Sequence, residues 1–164
     1  MLLKDKVVLI TGGSRGIGAA VAVEMARQGA DVAINSHSGG AAAAEVIAAV
    51  EAQGRRCISV EGDVALPETA AAFVSAAVEA FGKVDVFVSN AGICPFMTQA
   101  AANQMVKQGK GGAIVAISSI SALVGGEFQT HYTPTKAGVH SLMQSCAVAL
   151  GRHGIRCNSV LPGT

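Results

Sequence analysis

The sequence has no tryptophan, one tyrosine and five phenylalanines, so aromatics make up only 4% of its 164 residues. Without aromatic bulk, a core has to be built from closely packed aliphatic side chains, and Ala, Val, Ile and Gly dominate here. Apolar residues still reach 51%, which excludes a disordered chain. Charge is sparse and balanced, at 12 Lys and Arg against 11 Asp and Glu, a formal net charge of +1. No basic stripe and no Lys/Arg cluster interleaved with aromatics occurs, which argues against a nucleic-acid partner. No apolar run approaches the roughly 20 residues that a membrane helix needs, so no membrane partner is expected either. The opening Met1-Leu2-Leu3-Lys4-Asp5-Lys6 leads into an apolar run too short and too poorly flanked for a secretion signal. The four cysteines (Cys57, Cys94, Cys146, Cys157) form no C-x-x-C pair and read as small buried thiols, in keeping with a cytoplasmic location. None of the four histidines has metal-ligand spacing, so no metal site is expected.

What is present is a regular alternation. Short β-branched runs at 6–10, 31–35, 56–60, 85–89, 113–118 and 155–160 read as strands. Ala-rich stretches at 15–28, 41–53, 67–81, 98–108 and 134–150 read as helices. In the first helix Ile17, Ala20, Val21 and Met25 recur at helical spacing, and in the last Val139, Leu142, Met143, Cys146 and Leu150 do. Pro67 stands where a helix start tolerates a missing N–H. Near-continuous apolar strands such as Val7-Val8-Leu9-Ile10 imply burial on both faces. The expectation is one α/β domain over 1–164, a doubly wound parallel sheet with helices on both faces and its ligand beyond the carboxyl ends of the strands.

The first strand runs through Thr11-Gly12-Gly13-Ser14-Arg15-Gly16-Ile17-Gly18 into a helix. Glycines there let backbone N–H groups approach a pyrophosphate, which a helix N-terminus favours. A carboxylate at the end of the second strand would accept from the ribose hydroxyls of NAD and repel a 2′-phosphate. Here that end reads Ile34-Asn35-Ser36-His37-Ser38, with no acid. Arg15 with Asn35, Ser36 and His37 can therefore hold the extra phosphate of NADP(H), the preferred cofactor, with NAD(H) as the alternative. Further on come Gly62-Asp63-Val64, Asn90-Ala91-Gly92, Ser118-Ser119, Tyr132-Thr133-Pro134-Thr135-Lys136 and Asn158-Ser159-Val160-Leu161-Pro162-Gly163-Thr164. Tyr132 and Lys136, four apart near a helix start, can point into one cleft. A free tyrosine has a pKa of about 10, and a neighbouring ammonium stabilises its phenolate. Taken singly, a glycine loop can be a turn, Asp63 a helix cap, and Y-x-x-x-K a chance match.

In this order over essentially the whole chain, these motifs resemble the short-chain dehydrogenase/reductase family. The resemblance implies a Rossmann-type fold and an oxidoreductase that moves a hydride between a nicotinamide cofactor and an alcohol or carbonyl. It implies catalytic roles for Ser119, Tyr132 and Lys136. It implies cofactor contacts from Gly12, Ser14, Arg15, Gly16, Ile17, Gly18, Asp63 (on the adenine amino group), Val64, Asn90, Ala91, Gly92, Tyr132, Lys136, Pro162 and Gly163. The block from Ser118 to Lys136 is similar to sugar 1-dehydrogenases, L-rhamnose 1-dehydrogenases among them, which oxidise an aldose at C1 to a lactone. Ser119, Ser121, Gln129, Tyr132 and Thr164 are the expected substrate contacts, with Ser121 and Gln129 equally able to satisfy loop backbone. A 3-oxoacyl-thioester reductase and a non-catalytic NADPH-binding protein are the alternatives, and a homodimer or homotetramer is the expected assembly.

Two departures from the family stand out. The segment between Gly92 and the fifth strand is shorter by most of a crossover helix and a loop, where the family carries an active-site asparagine in an N-x-x-G context. Asn103 has the wrong context for that role. The sequence also stops before the family's substrate-covering loop, last strand and final helix, so the domain is expected to be incomplete.

Overall fold

A computed structural model of the chain describes residues 1–163; Thr164 lies outside the described residues. Six strands form one sheet: β1 (Val7–Thr11), β2 (Asp31–Ser36), β3 (Cys57–Glu61), β4 (Val86–Ser89), β5 (Gly112–Ile117) and β6 (Ile155–Val160). Their order is β3-β2-β1-β4-β5-β6, and every pairing is parallel. The helices are α1 (Gly16–Arg27), α2 (Gly40–Glu51), α3 (Pro67–Phe81), α4 (Pro95–Gln108) and α5 (Tyr132–Leu150).

β1 shows why the strands are apolar throughout. Successive side chains point to opposite faces of a sheet. Val8 and Ile10 join the core under α1 and α2 with Ala22, Ala26 and Val46. Val7 and Leu9 join the other core, with Phe73 of α3, Met97 and Met105 of α4, and Met143 of α5. Fully burying each large apolar side chain contributes about 1.5–3 kcal/mol relative to leaving it exposed. The strand order reverses between β1 and β4, and this opens a crevice above their carboxyl ends.

α1 does not present the face that its largest apolar residues suggest. Gly18, Ala22 and Ala26 are buried against the sheet, while Ile17 is 53% exposed. Small residues win the inner face because they let the helix axis approach the strands closely. Ile17, Val21 and Met25 flank an apolar groove of ≈330 Å³ floored by Val88, Val115 and Ile117, with Val21 and Met25 also packing on the core from its edge. α4 starts three residues before the 98–108 reading. Its first turn is closed by the Thr98 N–H and hydroxyl, which both donate to the Cys94 carbonyl. α5 likewise begins at Tyr132, because the N–H groups of Tyr132 and Thr133 already donate to Gln129 O. Among the described residues, no helix is long and apolar enough to cross a membrane.

The cysteines are all free thiols. Burial pushes Cys57 up to about 12, with the nearby Glu51 charge adding to it. Burial pushes Cys157 up to about 11, with Cys146 adding to it. A thiol reagent at mildly alkaline pH should therefore leave Cys57 and Cys157 unmodified in the folded protein and modify all four cysteines once it is unfolded. Mass spectrometry of the labelled protein reads this, and rapid native labelling of Cys57 would contradict it.

Candidate active site

The loop after β1 is held open from behind. The Thr11 hydroxyl accepts from the N–H groups of Asn90 (2.9 Å) and Ala91 (3.1 Å). The Asn90 amide in turn donates to the carbonyls of Thr11 (3.1 Å) and Gly12 (3.2 Å). Asn90-Ala91-Gly92 is thus a brace between β4 and the glycine loop. Inside the loop, Gly12 has φ +63°, and a Cβ on Gly18 would overlap the Gly12 carbonyl oxygen, so the helix start can pack there only as glycine. α1 begins with no side-chain cap and no acid in its first turn, which leaves its N–H groups to an anion.

Beside this loop lies a pocket of ≈340 Å³ lined by Gly12, Ser14, Arg15, Ser36, His37 and Ser38. Ser36 is 2% exposed and its hydroxyl has no hydrogen-bond partner, which is unusual for a buried polar group and fits a ligand contact. Asn35 is not brought into the pocket. Its amide donates to the carbonyls of Val60 (3.2 Å) and Gly62 (3.1 Å) and stitches β2 to β3. Asp63 Oδ1 accepts the Ala65 N–H at 2.9 Å in the turn before α3, and Val64 packs on the core beneath it.

The second half of the crevice is built by β5, α5 and the tail of β6. Ser119 continues β5 in extended backbone, and its hydroxyl accepts the Ser121 N–H at 3.1 Å, capping the 3-10 turn Ile120–Ala122. Ser118 points the other way and donates to the Lys136 carbonyl at 2.8 Å, tying α5 to the sheet. Lys136 Nζ donates to the Ile117 carbonyl at 2.9 Å and stands 5.6 Å from the centre of the Tyr132 ring. Leu161-Pro162-Gly163 folds alongside, with the Pro162 carbonyl accepting the Ile120 N–H at 3.0 Å.

Together these elements enclose a cleft of ≈600 Å³ in which Ser119, Ser121, Gln129, Tyr132, Pro162 and Gly163 meet. Gln129 Oε1 is buried without a partner. Sequence reasoning missed Phe128 and His131, which also line the cleft. His131 could have been found from its place beside Tyr132, whereas Phe128, 85% exposed at the cleft rim, sits at a backbone φ of +62° that no residue pattern announces. Asn103 is not in the cleft. It lines a separate groove between α4 and α5 with Leu142 and Cys146.

Comparison with known proteins agrees with this geometry. The family model for short chain dehydrogenases matches residues 6–97 and 94–164. The two matches overlap at residues 94–97, at the start of α4. L-rhamnose 1-dehydrogenase (NAD(P)(+)) of Sphingomonas sp. strain SKA58 is 62% identical over 188 aligned positions, covering 99% of this chain and 74% of that protein. Since this chain has 164 residues, at least 24 of those positions have no residue of it opposite them. L-rhamnose 1-dehydrogenase (NADP(+)) of Thermoplasma acidophilum is 42% identical, covering 98% and 73%. The crystal structure of a short-chain type dehydrogenase/reductase from Mycobacterium marinum superposes with a TM-score of 0.94 at 33% identity, over 98% of this chain and 75% of that one. The braced glycine loop, the crevice at the strand-order reversal and these matches have one reading in common: the chain belongs to the short-chain dehydrogenase family.

Proposed function

We propose that the protein oxidises an aldose, L-rhamnose, at C1 to the lactone, with NADP⁺ as the preferred hydride acceptor and NAD⁺ as the second. The observation that carries the sugar reading is the set of small polar groups that share the cleft with Ile120, Phe128 and Pro162. Ser119, Ser121 and the unpartnered Gln129 Oε1 suit a polyol, whereas a fatty-acyl chain calls for apolar walls. The names of the Sphingomonas and Thermoplasma relatives support the same substrate.

The glycine loop, the uncapped start of α1 and the Ser36 hydroxyl are the groups that fit the pyrophosphate and adenosine ribose. Asp63 and Val64 are assigned to the adenine, and Asn90-Ala91-Gly92 with Pro162 and Gly163 to the nicotinamide half. When bound there, the nicotinamide cofactor would supply the hydride acceptor for C1. Tyr132 takes the proton of the C1 hydroxyl as the C1–H pair departs and the carbonyl forms. Lys136 places positive charge beside the ring of Tyr132 and orients the ribose. Ser119 donates to the oxygen of the forming carbonyl. We further assign the protein to the cytoplasm, as its free thiols suit, and to a homodimer or homotetramer.

The test is purified protein with NADP⁺ or NAD⁺ and a panel of aldoses, following reduced cofactor by absorbance. L-Rhamnose should be oxidised, and Gln129→Ala should raise KM by roughly 10-fold or more as one sugar hydrogen bond is lost. Reduction of a 3-oxoacyl thioester with no aldose oxidised would overturn the substrate. Tight cofactor binding with neither activity would leave a non-catalytic cofactor-binding protein.

A further inference from the structure

One charged group beside the pocket at the loop is used by nothing described above. Glu61 closes β3, and the β2–β3 register sets it directly opposite Ser36. The neighbouring backbone is tied down, since the Gly62 N–H donates to the Ser36 carbonyl at 2.9 Å. At the start of α2, a Cβ added to Gly39 would lie 3.2 Å from Glu61 Oε2 and 3.9 Å from Ser36 Oγ. The Glu61 carboxylate and the unpartnered Ser36 hydroxyl therefore face the same point. Gly39 leaves that point free. No Lys, Arg or His reaches Glu61 within ion-pair distance among the described residues, so its charge stands unpaired next to Ser36, which lines the pocket. Arg15 and His37 line the pocket.

We infer that Glu61 sets the selectivity between the two cofactors, accepting a hydrogen bond from a ribose 2′-hydroxyl and opposing a 2′-phosphate that Arg15 attracts. The acid missing from the end of β2 is supplied one strand over. A pocket with one guanidinium and one carboxylate at its rim takes both NAD⁺ and NADP⁺, because each charge weakens the advantage the other confers. A chain with Arg15 alone at this rim would favour NADP⁺ far more strongly. The inference rests on reading the glycine-loop pocket as the adenosine end of the cofactor site, and the experiment separates the two.

Calorimetric titration of the wild type, Glu61→Gln and Glu61→Ala with NADP⁺, NAD⁺, adenosine 2′,5′-bisphosphate and 5′-AMP reads it without turnover. In both variants NADP⁺ and the bisphosphate should bind roughly two- to fivefold tighter, the size expected on removing one exposed like charge. NAD⁺ and 5′-AMP should bind more weakly to Glu61→Ala and about as before to Glu61→Gln, whose amide oxygen still accepts from the 2′-hydroxyl; undiminished NAD⁺ binding in Glu61→Ala overturns that hydrogen bond. An unchanged ratio of NADP⁺ to NAD⁺ affinity in both variants overturns the inference. Arg15→Ala tests the underlying reading: it should weaken NADP⁺ and the bisphosphate and spare 5′-AMP. If Arg15→Ala changes nothing, the 2′-phosphate does not sit here, and the assignment of the pocket fails with it.

Discussion

Tyr132→Phe is expected to lower turnover by on the order of 10²–10⁴-fold, the range that general acid–base catalysis by one side chain supplies, while cofactor affinity stays within twofold. The substitution removes one hydroxyl and leaves the ring. That ring is 38% exposed at the cleft mouth, so the change has little effect on packing, and stability should shift by no more than about 0.5 kcal/mol. Lys136 keeps its bond to the Ile117 carbonyl, so the cation remains in place beside the ring. Only proton transfer from the sugar hydroxyl is lost. The chain has no tryptophan and this single tyrosine, so the fluorescence of bound reduced cofactor can be excited and read without overlap from other chromophores. Lost turnover with intact fluorescence titration and an unchanged unfolding midpoint is the predicted set. Undiminished turnover in Tyr132→Phe would sink the mechanism. Loss of cofactor binding as well would move Tyr132 from the chemistry to the scaffold.

Much of the fold is legible in the residues because its causes are local. The doubled burial of Val7-Val8-Leu9-Ile10 announces a sheet covered on both sides, and all six strands fall within a residue or so of where the β-branched runs lie. Pro67 marks the start of α3 as a first-turn proline should. Pro95 does the same for α4, yet the stretch Cys94-Pro95-Phe96-Met97 reads as loop until the Thr98-to-Cys94 bonds are known. The inner face of α1 was hidden for a related reason. Hydrophobicity points to Ile17, Val21 and Met25, but close approach to the sheet selects Gly18, Ala22 and Ala26.

The site divides along the same line. Thr11 to Gly18 and Tyr132 with Lys136 are visible because the first group is one continuous stretch and the second pair lies four residues apart. Ser119, Gln129 and Pro162 converge only through the β5–β6 pairing and the fold of the tail, which spacing cannot report. Asn35 shows the opposite case. Its position next to Ser36 suggested a phosphate contact, but alternation along β2 and the carbonyls of β3 claim its amide. Glu61 depends wholly on the register between β2 and β3, and so no motif pointed to it.

The largest expected loss of stability lies at the other end of the sheet. Asp31, 5% exposed at the start of β2, accepts from the Arg56 N–H at 3.1 Å and from Arg56 Nε at 2.9 Å. Arg55 Nη2 pairs with Oδ1, which also accepts the Arg56 N–H, at 2.9 Å, and Arg56 Nη2 lies 2.6 Å from Oδ2. Arg56 also donates to the Ala80 carbonyl at 3.0 Å and lies over the Phe81 ring at 4.8 Å. One carboxylate thereby joins β2, the approach to β3 and the end of α3. Asp31→Ala leaves Arg55 and the largely exposed Arg56 without their shared carboxylate, and losing these charge-assisted hydrogen bonds costs about 1.5–3 kcal/mol. Urea unfolding at neutral pH should show that loss as a lower midpoint at unchanged slope.

The pH dependence gives the same carboxylate a second signature. Burial pushes Asp31 up, but the Arg56 hydrogen bonds and the two guanidinium charges outweigh it and hold the carboxyl below its ordinary value. Its stabilising contribution is therefore complete above the unfolded-state pKa of about 3.9, and it is lost as the pH falls through the lower folded-state value. The stability gap between wild type and Asp31→Asn should be constant from neutral pH down to about 4 and close below it. A gap that persisted unchanged into stronger acid would mean that the variant fails by lost packing, with the ionised carboxylate contributing nothing.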